Sequence, residues 1–314
     1  MSGRPRRCGD PVNRLVTAFV LGFTALFGPI PDGATSQPIE VVVSILPQQE
    51  IVQKLGGSEV SVTVLIPPGR SPATFEPSPR LMASISDADL LLPLGLPFER
   101  TVIARIHDIE PELPICNGSP TSKSGVSTAE AIHHDALDHR KHDHTQGQDP
   151  HFWLDPQLTI EYAQQVRRCL CQTRPQDCET FRENLAAYTE QLEAVDRRNA
   201  ALLAPHNGRM LFVFHPAYGH FAHRYGLRQV AIEYEGKNPT GRHLSQLIEE
   251  AKTAGAKVIF VQPQFAGTGA QAVAAAVGAD LVELDPLAPD LLANMERIAA
   301  RISKAFEANR GTTQ

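Results

Sequence analysis

The sequence predicts an α/β protein of two lobes joined by a long rigid connector helix. Three observations carry that expectation. Short β-branched runs alternate with helical patterns in the first half, the same alternation restarts after residue 208, and the halves are separated by a proline-free stretch with apolar residues at helical spacing. With 314 residues at 42% hydrophobic content, the chain can fill two separate cores.

Residues 1–36 read as an export signal. Arg4, Arg6, Arg7 and Arg14 form a basic start, Leu15 to Gly28 is apolar, and the small residues Gly33, Ala34, Thr35 and Ser36 follow, placing cleavage near Ser36 and Gln37. The apolar run is short for a membrane span, and no second one follows. No cysteine sits just after it, so a freely diffusing periplasmic protein is expected rather than a lipid-anchored one.

The N-terminal lobe, 37–176, is expected to hold strands at 40–45, 60–66 and 89–94, with helices at 47–55, 79–86 and 98–106. The connector at 177–204 places Phe181, Leu185, Tyr188, Leu192, Val195 and Leu202 on one helical pattern. If fully helical it spans ~40 Å, enough to run along both lobes. The C-terminal lobe, 205–314, is expected to have strands at 210–214, 229–234, 257–261 and 280–284, each followed by a helical segment.

Charge narrows the partners. Removing the leader takes away four arginines and two aspartates and moves the formal charge from −6 to −8. An acidic exported chain without a basic stripe has no footprint for nucleic acid, but suits cation capture. Cys8 lies in the leader. Cys169, Cys171 and Cys178 cluster around the turn Thr173-Arg174-Pro175, and in an oxidising compartment Cys178 is expected to pair with Cys169 or Cys171.

Metal chemistry is concentrated before the connector. The stretch from Ala131 to His151 places His133, His134, His139, His142, His144 and His151 among Asp135, Asp138, Asp143 and Asp149. Imidazoles with nearby carboxylates suit borderline ions such as zinc, whereas calcium and magnesium take oxygen donors. The glycine and charge of 132–147, without apolar anchors, suggest a mobile loop of auxiliary weak sites. Two further donors stand at strand exits, where ligands gather in open α/β sheets: His215 before Pro216 and Asp285 before Pro286. Gln262, at another strand exit, could orient a ligand histidine, and Glu233 is a weaker supporting candidate. His220 and His223 lie one helical turn apart, with one or both expected on the solvent face. Glu235 and Lys237 read as a solvated turn, and His107, His206 and His243 as surface residues.

Five ordered blocks then make a resemblance specific: Val43-Ser44-Ile45-Leu46-Pro47, the segment from Pro68 to Pro79, Asp149 to Pro156, His215-Pro216-Ala217-Tyr218-Gly219, and Leu284-Asp285-Pro286-Leu287. Through them the chain resembles the zinc/manganese class of metal-binding proteins of bacterial ABC importers, and the His-rich loop resembles the zinc-type members. The resemblance implies a metal held between the lobes by three histidines and one carboxylate. His151 and His215 match two of the histidines, and Asp285 matches the carboxylate. Ala73 stands where the pattern has its first histidine, which leaves a fourth position for water, Glu76 or a loop histidine.

The reading that follows is an exported, monomeric carrier delivering Zn2+, or Mn2+ or another divalent transition metal, to a membrane permease driven by a separate ATPase. The chain has no nucleotide-binding Gly-x-x-x-x-Gly-Lys-Ser/Thr loop of its own. A rival is a secreted zinc hydrolase using the same residues and an open coordination position. Against it stand the lack of a His-Glu-x-x-His helix and of a general base beside the ligands. A third is a metallochaperone whose His loop does most of the binding.

Overall fold

The computed structural model describes residues 37–72, 75–83, 85–117, 120, 149–233, 241–265 and 268–308, the side chains of 242, 243 and 268 excepted. Outside the described residues lie the expected leader at 1–36, Ala73, the His-rich run at 132–147, Glu235 and Lys237, and the side chain of His243.

Each half of the chain builds a parallel sheet. In the first, β1 (Ile39–Val43) lies between β2 (Val60–Val64) and β3 (Leu90–Leu92). In the second, β4 (Met210–Val213), β5 (Arg228–Ala231), β6 (Val258–Val261) and β7 (Asp280–Glu283) are ordered β5-β4-β6-β7. The two-residue side-chain period explains why β1, β3, β4 and β6 are mostly apolar, whereas β2, β5 and β7, all at sheet edges, carry polar residues. Val41 and Val43 enter one core while Val42, between them, enters another; Leu211 and Val213 alternate in the same way with Phe212 and Phe214. Strands covered on both faces cannot alternate with polar residues.

The inner faces share one continuous apolar core, formed with α1 (Leu46–Gly56), α4 (Pro156–Thr173), α5 (Cys178–Leu203), α6 (Gly219–Arg224) and α9 (Leu291–Ala308). The outer face of the first sheet is covered by α2 (Pro79–Ala83) and α3 (Glu99–Ile109), that of the second by α7 (Gly241–Thr253) and α8 (Thr268–Val277). None of the described helices is long and apolar enough to cross a membrane.

The connector expected at 177–204 is α5, whose 26 residues span ~39 Å. It reaches the first lobe through Asn184 Nδ2, which donates to Leu55 O at 2.9 Å, and the second through Asn199 Nδ2, which donates to Met295 O at 3.3 Å. Asp155 starts α4 by accepting from Gln157 N and Leu158 N, with Pro156 in the first turn, where a missing N–H costs nothing. Cys171 and Cys178 close the α4–α5 turn with a Cα separation of 4.8 Å. Cys169, the other partner considered for Cys178, bonds instead to Cys116, 53 residues earlier, because its side of α4 is buried against the first lobe.

Candidate metal centre

His151 and His215 arrive from opposite halves of the chain and meet with Nε2 atoms 3.4 Å apart, their rings edge to face at 82°. Each imidazole has its other nitrogen engaged. His151 Nδ1 lies 2.6 Å from Asp149 Oδ1, and His215 Nδ1 lies 2.5 Å from Glu233 Oε1; both carboxylates are only 2% exposed. An ionised carboxylate can only accept, so each Nδ1 carries the proton and each Nε2 presents a lone pair. Two lone pairs facing each other repel, and a cation between them removes the repulsion. Two nitrogens on a tetrahedral zinc at ordinary bond lengths are separated by about 3.3 Å, which the pair matches.

Local folding explains the aim of each ring. His151 lies in a tight turn where Asp149 Oδ1 also accepts from His151 N at 3.0 Å. The turn then continues into a 3-10 segment at Phe152–Leu154 that leads to Asp155, the cap of α4. His215 follows β4. Gln262, read as able to orient a ligand histidine, does hold His215, through its backbone: Gln262 Nε2 donates to His215 O at 2.7 Å and Gln262 Oε1 accepts from His215 N at 3.1 Å. The ring is fixed instead by Glu233 and by Phe265, stacked on it at 4.8 Å and 21°.

Asp285 follows β7 in a heavily tethered loop. The carbonyls of Leu284, Asp285 and Pro286 accept in turn from Tyr218 Oη (2.8 Å), Asn294 Nδ2 (2.7 Å) and Trp153 Nε1 (2.8 Å). Trp153 lies two residues past His151 and Tyr218 three past His215, so the segments bearing the histidines brace the Asp285 loop. Asp285 Oδ1 accepts from Gln264 Nε2 and Leu287 N, each at 2.9 Å. Among the described residues, no group of three His, Cys, Asp or Glu side chains is close enough to share an ion. The structure therefore brings the two histidines together and places Asp285 in the neighbouring braced loop. Glu76 is exposed.

Burial dominates the electrostatics. It pushes His215 below the ordinary histidine range, with Glu233 pulling the other way. Asp149 is pushed up by burial, but the charge and hydrogen bonds of His151, together with the charge of His220, outweigh that and hold it below the usual carboxylate range. Of the other histidines, the pair expected to put one or both members on the solvent face puts one there, and the surface reading of His206 is corrected. His220 is buried, with Nε2 2.9 Å from Asp149 O, because the short helix α6 packs under the His151 turn; His223 is exposed. His206 is buried beside Ser303 Oγ at 3.0 Å, because α9 packs over it, while His107 is exposed. Sequence reasoning missed Asp149 as the partner of His151, although an Asp two residues before a His is the spacing of such a turn. It also missed Phe265, for which no local signal exists.

The family model described as zinc-uptake complex component A, periplasmic (ZnuA), matches residues 41–305. The zinc-binding protein AdcA of Streptococcus pyogenes serotype M3 is 27% identical over 263 residues, covering 79% of this chain and 50% of that protein. The chain thus spans about half the length of the first curated relatives it matches. A crystal structure of ZnuA is 32% identical with a TM-score of 0.74, covering 85% of this chain and 98% of that one. A zinc-bound ZnuA deletion mutant is 31% identical with the same TM-score and coverage.

Proposed function

The chain belongs to the periplasmic zinc-uptake component A family, and from that premise we propose that it captures a zinc ion through His151, His215 and Asp285 and delivers it to the permease of an ABC importer with a separate ATPase. One observation carries the reading: the two Nε2 lone pairs, fixed by buried carboxylates, stand 3.4 Å apart, the separation a tetrahedral zinc requires. Asp285 joins from the braced loop, and water takes the position that Ala73 cannot fill. The mature protein begins after Ser36, travels as a free monomer in the periplasm, and uses the His-rich run at 132–147 for weak capture. The zinc-bound deletion mutant of a relative, along with the zinc-binding relative AdcA, supports zinc as cargo. Manganese remains a weaker competitor. The hydrolase reading gains no support from the relatives, which are metal-binding and uptake proteins.

Competition titration with a zinc chelator tests the assignment. Wild type is expected to hold one tight zinc, and His151→Ala, His215→Ala and Asp285→Ala are each expected to weaken it. Wild-type affinity in all three variants sinks the site.

A further inference from the structure

The tetrapeptide Gln262-Pro263-Gln264-Phe265 after β6 holds both a candidate histidine and the candidate carboxylate. Gln262 fixes the His215 backbone, Phe265 stacks on its ring, and Gln264 Nε2 donates to Asp285 Oδ1. Leu287 N donates to that same oxygen, so Oδ1 already accepts two bonds. A carboxylate oxygen only accepts, so it is the NH2 end of the Gln264 amide that faces Asp285. Gln264 Oε1 is buried with no partner among the described residues.

We infer that Gln264 is a specificity-determining positioning residue: with Leu287 N it occupies Asp285 Oδ1, so that Asp285 can give an ion only Oδ2. This rests on the proposed role of Asp285 and adds the mode of ligation. Two imidazole nitrogens, one carboxylate oxygen and one water make a four-coordinate shell, which suits zinc. Manganese favours oxygen-rich octahedral shells and loses an oxygen when the carboxylate cannot chelate. Gln264 therefore favours zinc over manganese without touching either ion.

The test uses the mature exported protein and the variants Gln264→Ala and Gln264→Met, the second keeping side-chain length without a donor. Zinc and manganese affinities are measured by competition, and bound cobalt(II) reports coordination number through its visible absorption, intense for four-coordinate and weak for higher. Wild type is expected to give the intense spectrum. Both variants are expected to give a weaker one and to lose about 10-fold in zinc-over-manganese preference, within the range for residues that support a metal ligand. Melting of the metal-free protein checks folding, and a purely structural role would move that melt without altering the cobalt spectrum. If Gln264→Met keeps the wild-type spectrum and preference, the inference is overturned, as it is if wild type itself gives the weak spectrum. Asp285→Ala separates the two levels. Wild-type zinc affinity in Asp285→Ala overturns the proposed ligand set, whereas weakened zinc there with unchanged Gln264 variants overturns only the role of Gln264.

Discussion

A histidine that is to give a metal its Nε2 must lose its choice of tautomer, and at His151 and His215 a buried carboxylate removes that choice. Asp149→Asn and Glu233→Gln are each expected to weaken zinc by about 10-fold or more while leaving both imidazoles in place; unchanged chelator titrations would remove the orienting role. The pH dependence has a worked sign. The neutral imidazole ligates, and burial holds His215 below its ordinary value near 6.5, so this residue offers zinc a free lone pair throughout the neutral range. Its proton competition begins only below that range. Glu233 opposes the burial effect, so Glu233→Gln should lower the affinity at neutral pH yet move the acid limb of the binding curve to lower pH. A limb that moves upward contradicts this account. Ala73→His tests the remaining position: if residue 73 faces the ion, the new imidazole replaces water and changes zinc affinity and the cobalt spectrum, and if neither changes, the block from Pro68 to Pro79 does not reach the site. The candidate donors were legible because each precedes or follows a proline in a strand exit or turn. Among their supports, Gln262 and Glu233 could be named from their strand exits but not the atoms they hold, whereas Phe265, which reaches His215 from the turn after β6, left no local signal.

At the scale of elements, the pattern of apolar residues located the strands and the connector but placed several strand ends too late. The expected 210–214 and 229–234 end at Val213 and Ala231, although single backbone bonds continue beyond both ends: Phe214 N donates to Phe260 O and Ile232 N to Val213 O, each at 2.9 Å. The disulfides follow the same division between local and distant information. The local spacing narrowed the partner of Cys178 to Cys169 or Cys171 without choosing between them, and the choice of Cys171 goes with Cys116–Cys169, which depends on packing α4 against the first lobe. In the chain-entropy account the longer loop restrains the unfolded chain more, about 4 kcal/mol against about 2.5 kcal/mol for the shorter. Cys116→Ser/Cys169→Ser should therefore lower denaturant stability more than Cys171→Ser/Cys178→Ser. Peptide mapping without reductant checks the pairing itself, and a Cys169–Cys178 peptide would contradict it.

Across the whole molecule, the two halves of the chain share one core, and several bonds cross between them near the site. Trp153 reaches Pro286 O, and Glu50 Oε2 on α1 accepts from Leu291 N at the start of α9 at 2.5 Å. The proposed tight site is thus drawn from folded elements and is expected to be independent of residues 132–147, whose histidines fall in a stretch of charge and glycine without apolar anchors. Binding that favours only the folded state raises stability by RT ln(1 + [L]/Kd), so zinc at the tight site should raise the melting temperature, while zinc on the auxiliary histidines should add little. Excision of 132–147 tests this division at the scale where it belongs. The shortened protein is expected to keep one tight zinc and its full thermal shift at one equivalent, and to lose the weak equivalents and some speed of capture from a dilute zinc buffer. If the thermal shift at one equivalent disappears with the loop, its histidines supply the tight site, and the arrangement of His151, His215 and Asp285 is only a scaffold beside it.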